Sequence, residues 1–467
     1  MRSILITGVT DGIGKALAER CMRQGWLVLG VGRQAAGPGH EYLQSDLREP
    51  DCGLRLGAWL GALGHDRLDV LVNNAALGWW GEPRAQSEHS IRELVQVNLR
   101  APIALTHALM SRVVAAHGQL VFLSSVSSAL PTPRYAVYTA TKAALDGFAR
   151  SLRVELRGRA VVQVLWPGPT RTGMQRKSGA GMEGAAFSPP EEAARRIEAC
   201  IERRVPSGCL TRTVWLLRSL GTRFPSLVDR AVLGPVRRVA NRSILVTGAA
   251  GGIGRALADT LSASGYNVLG LDRHWSDRPN FPTVTVDLAE LSDPALSELP
   301  PIDCLVHCAG INAVGRLDRC PMGALDRVLA VNLLAPLILT RRIASSRVVG
   351  ISSMSAFLGY PGASVYAATK DGLASYVRSL GGLVVYPGPT RTDHARRFSP
   401  EPSWEGRRVP PEAVAHSVVR ALERHHRRAV PGRLNRALAV LGTWFPHLAD
   451  EAMERAILKP LGDRVLL

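Results

Sequence analysis

Lysine is the residue this chain has least use for. Five occur, at 15, 142, 177, 370 and 459, among 57 Lys and Arg, so nearly all of the positive charge is arginine. Arginine stays protonated and planar, whereas a lysine ammonium has a tunable pKa, so proton chemistry has few lysines to draw on. Cysteine is also sparse: seven residues, an odd number, with no Cys-x-x-Cys pair. That excludes ribbon-type zinc sites and dithiol redox motifs. Cys304, His307 and Cys308 lie close together, but no second ligand pair accompanies them, and the stretch reads as a buried strand with reduced thiols, not as a metal site. No charge-free apolar run of about 18 residues or more is present, so no membrane span is expected. A strand pattern beginning at Arg2-Ser-Ile-Leu-Ile leaves no room for a signal peptide, and a cytoplasmic protein is the expectation.

What is present is the composition of a soluble globular protein, with 46% hydrophobic and 21% charged residues in 467, long enough for two or three domains. The net charge of +18 is spread along helical stretches and is not gathered into a run with interleaved aromatics. It reads as a basic surface that attracts anionic cofactors; no nucleic-acid partner is expected.

The chain repeats itself. Arg2-Ser-Ile-Leu-Ile-Thr-Gly8 returns as Arg242-Ser-Ile-Leu-Val-Thr-Gly248, Val97-Asn98-Leu99 as Val331-Asn332-Leu333, and Trp166-Pro-Gly-Pro-Thr-Arg-Thr172 as Tyr386-Pro-Gly-Pro-Thr-Arg-Thr392. A period above about 200 residues is a duplication of whole domains and not a solenoid. The expected domains are 1–238 and 239–467, joined by a short basic linker at Val236–Asn241. In each half, short β-branched runs alternate with helical patterns, in the first at Ile4–Thr7, Leu27–Gly30, Val70–Asn73, Leu120–Ser124 and Val161–Leu165. The fold class expected is α/β, as two tandem Rossmann-like, doubly wound parallel-sheet domains. The second copy is shorter, having lost eight residues between Lys370 and Pro387. A helix from Val365 to Leu380 still spans about 24 Å, enough to cross a strand of about 17–20 Å, and Gly381-Gly382 would turn the chain into Leu383–Tyr386.

Two of the five lysines follow a tyrosine by four residues: Tyr138 with Lys142, and Tyr366 with Lys370. About 0.1 such matches would arise by chance. The spacing puts both side chains on one helix face. A serine precedes each tyrosine by thirteen residues, Ser125 and Ser353. Each half also opens on a Gly-rich turn after its first strand: Thr7-Gly8-Val-Thr-Asp-Gly12-Ile13-Gly14, and Thr247-Gly248-Ala-Ala-Gly-Gly252-Ile253-Gly254. Glycine there lets backbone approach a pyrophosphate at a helix N-terminus.

In this order, the Gly-rich turn, a mid-chain Asn, Ser, Tyr-x-x-x-Lys and Pro-Gly resemble the short-chain dehydrogenase/reductase family over nearly all of both halves. The resemblance implies a seven-stranded parallel sheet, NAD or NADP as cofactor, and hydride transfer between nicotinamide and a secondary alcohol or ketone. It implies that Tyr138 and Tyr366 are the acid/base groups, with phenols lowered by Lys142, Lys370 and the nicotinamide cation. Ser125 and Ser353 would polarise the carbonyl, and Asn98 and Asn332 would hold a water serving the lysines. Thr172 and Thr392 would orient the nicotinamide amide, following Pro167, Gly168 and Thr170 in one half and Pro387, Gly388 and Thr390 in the other. Asp46-Leu47 and Asp287-Leu288 would contact adenine, and Asn74-Ala75 and Ala309-Gly310 would form the cofactor wall. That wall departs from the family pattern, with Ala76 closing it in the first half and His307-Cys308 opening it in the second.

The second strand ends Gly32-Arg33 in the first half and Asp272-Arg273 in the second. An acidic residue there bonds the ribose hydroxyls of NAD, whereas Arg pairs with the 2′-phosphate of NADP. NADP is therefore expected in the first half and NAD in the second, acting on one substrate in turn by epimerisation or redox shuttling. The alternative is one active reductase whose second half is a built-in pseudo-dimer partner or nucleotide-binding module, since family members associate through the fourth and fifth helices. Higher homo-oligomers are also compatible. Ser188-Pro-Pro-Glu-Glu and Pro410-Pro-Glu read as helix starts. The stretches Val214–Leu233 and Leu434–Leu458 read as C-terminal lids over an apolar alcohol or ketone, in preference to membrane-surface helices. Trp79-Trp80 are expected to line the first pocket.

Overall fold

A computed structural model describes residues 1–179, 187–236, 239, 242–291, 296, 298–393 and 408–467 of the chain. Of the linker expected at Val236–Asn241, only Val236 and Val239 lie among these residues.

The first half forms a seven-stranded sheet from β1 (Ser3–Thr7), β2 (Leu27–Gly32), β3 (Glu41–Gln44), β4 (Val70–Asn73), β5 (Gln119–Leu123), β6 (Val161–Trp166) and β7 (Ser207–Cys209), in the order β3-β2-β1-β4-β5-β6-β7. The second repeats it with β8 (Ser243–Thr247), β9 (Asn267–Asp272), β10 (Thr283–Thr285), β11 (Cys304–His307), β12 (Arg347–Ile351), β13 (Leu383–Val385) and β14 (Arg428–Ala429), in the order β10-β9-β8-β11-β12-β13-β14. Every strand pairing is parallel. The central strands are buried along their length, which is why they are near-continuous Val, Ile and Leu and do not alternate. In both sheets the order reverses beside the first strand, and ligands of open parallel sheets bind outside the carboxyl ends of the strands at such a point.

Helices α1 (Gly12–Arg23), α2 (Cys52–Ala62), α3 (Glu88–Val95), α4 (Ala101–Ala115), α5 (Ala136–Glu155), α6 (Gly173–Ser178) and α7 (Pro190–Glu202) cover the first sheet. Two further helices, α8 (Arg212–Arg223) and α9 (Pro225–Leu233), break at Pro225. The second half has α10 (Gly252–Ala263), α11 (Met322–Leu329), α12 (Ala335–Arg342) and α13 (Ser364–Ser379), then helices Pro411–Glu423, Arg433–Trp444 and Pro446–Met453. Trimming shortens helices and outer strands: α12 has 8 residues against 15 in α4, α13 has 16 against 20 in α5, and β13 has 3 against 6 in β6. The segment Met322–Arg342 is apolar and long enough to cross a membrane by composition, yet it packs into the core through Leu325, Leu329, Leu333 and Leu337.

The two halves meet along α5 and α13, which run antiparallel. A Cβ on Gly372 would lie 3.1 Å from the Ala140 carbonyl, and one on Gly147 would lie 3.1 Å from the Ala367 carbonyl, so glycines let the helices close together. One apolar cluster consequently runs through both halves, from Phe122 and Phe148 to Leu305 and Tyr376. Polar contacts frame it. Arg150 pairs with Asp371, Arg100 with Asp326 at 2.7 Å, and Arg378 with Asp229 at 2.6 Å.

Candidate active site

Each Gly-rich turn is shaped for something to approach it closely. Gly8, Gly12, Gly248 and Gly252 all have positive φ. A Cβ on Gly14 would sit 2.2 Å from the Gly8 carbonyl, and one on Gly254 would sit 1.9 Å from the Gly248 carbonyl. Thr7 holds the facing wall, its Oγ1 accepting from the Asn74 and Ala75 N–H groups at 3.1 Å each. Thr247 does the same for Cys308 and Ala309, at 3.1 and 3.2 Å. The altered second wall therefore keeps its backbone frame; what it lacks is the Asn74 side-chain amide, which donates to the Thr7 carbonyl at 2.8 Å. His307 is buried on β11 with its Nε2 2.8 Å from Thr340 Oγ1, and burial followed by the nearby Lys370 pulls it down to about 3. It is a neutral structural side chain.

The side chains expected to do chemistry are brought together in both halves. Asn98 and Asn332 each sit in a π-helical turn, Gln96–Arg100 and Ala330–Leu334, an irregularity that recurs at functional positions. The Leu77 N–H donates to Asn98 Oδ1 at 2.7 Å, and Asn98 Nδ2 donates back to the Leu77 carbonyl at 2.9 Å. Asn332 makes the same pair with Ile311, both at 2.8 Å. Lys142 donates to the Leu123 carbonyl at 2.8 Å and Lys370 to that of Ile351 at 3.1 Å. Their ammonium groups lie 5.8 and 5.7 Å from the rings of Tyr138 and Tyr366. Ser125 and Ser353 hydrogen-bond the two phenols.

Burial dominates the protonation of this set. It pulls both lysines down to about 8 and pushes the Tyr138 phenol up to about 12, against the lowering by Ser125; Tyr366 moves the same way. The lysines were expected to lower the phenols, but at nearly 6 Å from ring centre they do not offset desolvation in the protein alone.

The remaining expected positions fall around the same clefts. Thr172 lies against the first turn, 2.6 Å from where a Gly12 Cβ would be, and Thr392 is 3.2 Å from the Gly252 equivalent. Thr170 and Thr390 donate to the carbonyls of Gly168 and Gly388 at 3.0 Å, beside Pro167 and Pro387. Leu47 and Leu288 are buried. The preceding acids are engaged by arginines: Asp46 by Arg48, whose hydrogen bonds hold it below the usual carboxylate range, and Asp287 by Arg327 at 2.6 Å. Ile13 is partly buried and packs against the apolar cluster of β1, β4 and α1. Ile253, Gly310 and Asp272 line a cavity of about 920 Å³ in the second half. Asp272 accepts from the Ala250 and Arg273 N–H groups at 3.0 and 2.7 Å. In the first half Arg33 is exposed, and the space an Asp272 side chain would need at Gly32 is filled by Thr10 and the Tyr42 hydroxyl, 2.7 and 2.8 Å from where a Gly32 Cβ would be.

Tyr135 and Ser178, unmarked in the sequence, shape the first site together with the expected Trp80. Tyr135 stacks on Tyr138 with centroids 4.2 Å apart, and Trp80 tilts against Tyr135 at 5.8 Å. Ser178 of α6 bonds the Tyr135 hydroxyl and, through its carbonyl, the Trp80 N–H at 2.8 Å. Trp79 packs instead over Gly81. The second cavity is walled by Leu438 and Leu441 of helix Arg433–Trp444 and by Ala449 and Met453 of helix Pro446–Met453. These four residues fall inside Leu434–Leu458, the stretch that reads as a lid in the sequence; the Tyr135 cap had no signal beyond an aromatic three residues before Tyr138.

The model of the short chain dehydrogenase family matches residues 2–183 and 242–401. A serine 3-dehydrogenase of Agrobacterium fabrum is 34% identical over 181 residues, 36% of this chain and 72% of that protein. A probable NADP-dependent dehydrogenase of Haemophilus influenzae is 26% identical over 224 residues, 45% of this chain and 86% of that protein. Among solved structures, a short-chain dehydrogenase from Sphingobium yanoikuyae in complex with NADPH aligns with 51% of this chain and 98% of its own, at 24% identity and a TM-score of 0.43. The chain belongs to the short-chain dehydrogenase family, in two tandem copies, and is an oxidoreductase.

Proposed function

We propose that each half catalyses reversible hydride transfer between a nicotinamide nucleotide and a secondary alcohol or ketone, the first half with NADP(H) and the second with NAD(H). The observation that carries the split is the end of the second strand. Asp272 offers a carboxylate held by two backbone N–H groups, suited to ribose hydroxyls and repelling a 2′-phosphate. The first half has Gly32 there, with Arg33 exposed beside it. The Gly-rich turns fit such a nucleotide: Gly8, Gly12, Gly248 and Gly252 hold positive φ, and Gly14 and Gly254 leave no room for a Cβ against the turn's own carbonyls, so each helix N-terminus packs directly on its turn. The nucleotide, when bound, supplies or accepts the hydride.

Everything else falls to the chain. Ser125 or Ser353 hydrogen-bonds the substrate oxygen as charge grows on it. Tyr138 or Tyr366 donates or accepts the proton at that oxygen. Lys142 or Lys370, anchored on a strand-end carbonyl, keeps a positive charge below the phenol, and Asn98 or Asn332 orders the path behind it. Leu438, Leu441 and Met453 in the cavity wall favour an apolar substrate. With opposite cofactor preferences, the two sites would oxidise and then reduce one substrate, inverting a stereocentre or moving reducing equivalents.

A second reading, one active half with the other as a built-in partner, draws support from the close α5–α13 packing and from Tyr135 lying over Tyr138. Separate Tyr138→Phe and Tyr366→Phe variants, assayed with both nucleotides over a panel of alcohols and ketones, distinguish the readings. Two active sites predict that each variant loses one cofactor-specific activity by about 10²-fold or more. If one variant retains every activity, its half is not catalytic for those substrates.

A further inference from the structure

Large apolar side chains exposed to solvent are concentrated on one part of this molecule. Of seventeen among the described residues, twelve lie in two segments, 212–233 and 433–448. Trp215 is 60% exposed, Leu227 67%, and Phe445 and Leu448 57% each. The segments come from opposite halves yet meet: the Phe224 ring packs edge-on to Trp444 at 6.3 Å, and the Arg223 guanidinium lies 5.2 Å from the same ring. The inner sides of these helices are already used. Val214, Ala439 and Ala449 are buried, and Gly221 packs closely on the Ala129 carbonyl. Leu438 and Leu441 face the second cavity. The exposed residues are thus a surplus beyond what a lid requires.

The charge around them is mostly of one sign. In the two segments the exposed charged residues are Arg212, Arg223, Arg230, Arg433 and Arg436. The acid in these segments, Asp229, is buried and paired with Arg378, while Arg218 pairs with Asp146. Past residue 448 the helix Pro446–Met453 also carries Asp450 and Glu451, the latter 3.8 Å from Arg157. An apolar surface of this extent, rimmed mostly by arginine, is costly in water and matches the boundary between anionic headgroups and acyl chains. A second copy placed symmetrically on the same face would set arginine against arginine.

We propose that this face, built from α8, α9 and the helices Arg433–Trp444 and Pro446–Met453, docks the protein on an anionic lipid bilayer. Trp215, Leu227, Phe445 and Leu448 enter the acyl boundary, and the arginines bind lipid phosphates. Two of these helices, Arg433–Trp444 and Pro446–Met453, also wall the second cavity.

Flotation of the full-length protein tests this, with vesicles of phosphatidylglycerol and phosphatidylcholine in equal parts and of phosphatidylcholine alone. The protein is expected to float with the anionic vesicles at low salt. The pair Leu227→Ser and Leu448→Ser should lower partitioning about tenfold or more, and Arg223→Gln or Arg230→Gln about fivefold each. Thermal stability and nucleotide binding should be unchanged. Failure to float with anionic vesicles overturns the proposal, as does undiminished binding by the leucine variants, which would mark unspecific attraction to a basic surface. Larger species in sedimentation that the leucine variants dissolve, without flotation, would make the face a self-association surface and equally overturn it.

Discussion

At the scale of single residues, the sites are defined by charge kept out of water. Lys142 and Lys370 are buried, each ammonium satisfied by one strand-end carbonyl, and this environment lowers them to about 8. The positive charge is full below that pH and is lost above it. Ketone reduction, which needs the ammonium, is expected to show kcat/KM falling above about pH 8, read from the pH profile of each half with the other tyrosine changed to Phe. Ser125 and Ser353 are the neighbours that lower the two phenols. Ser125→Ala or Ser353→Ala should cost about 10²–10³-fold in kcat with nucleotide binding retained, as measured by titration of nucleotide fluorescence. A loss of binding instead would make the serines structural.

Among elements, the Gly-rich turn bears on whether a half can hold a nucleotide, and the end of the second strand on which one. Gly14→Ala and Gly254→Ala each force a methyl group into a backbone carbonyl, where nothing flexible can give way. Each is expected to abolish nucleotide binding in its own half alone, checked by calorimetric stoichiometry falling from two sites to one. Cofactor exchange should be asymmetric. Asp272→Gly removes a side chain from an open position, but Gly32→Asp meets Thr10 and the Tyr42 hydroxyl. Conversion of the first half to NAD use should therefore need Tyr42→Ala as well as Gly32→Asp, a dependence that dissociation constants for both nucleotides would reveal.

For the molecule as a whole, the two halves are tied by buried polar contacts that neither half could satisfy alone. Glu155, at the end of α5, accepts from the N–H groups of Leu317 and Gly362 in the second half. Burial pushes its carboxyl from 4.5 up to about 7. Between those values the folded chain holds a proton that the unfolded chain has lost, so stability falls as pH rises from about 4.5 to 7. Glu155→Gln should flatten that part of the profile, as followed by denaturant unfolding at a series of pH values. Arg150→Ala strands the buried Asp371 carboxylate and should destabilise by about 3–5 kcal/mol. A wild-type unfolding midpoint in that variant would mean that the halves do not depend on this pair.

Strand positions, the duplication and the ordered Asn, Ser, Tyr and Lys were legible because each is a local property. A buried parallel strand must be β-branched, a close backbone approach must be glycine, and a helix that survives trimming must still cross its sheet, as Ser364–Ser379 does. The pairing of Tyr138 with Lys142 stood out because lysine is so scarce here. The burial that reverses the expected lowering of the phenol was not, since desolvation is a sum over neighbours remote in sequence. The same holds for Tyr135 over Tyr138 and for Tyr42 at Gly32. It holds again for α8 and the helix Arg433–Trp444, which lie more than 200 residues apart and join their apolar sides only because α5 and α13 bring the halves together. Residue type and spacing set the chemistry available in each half; packing between the halves set what is buried, what is capped and what is left facing outward.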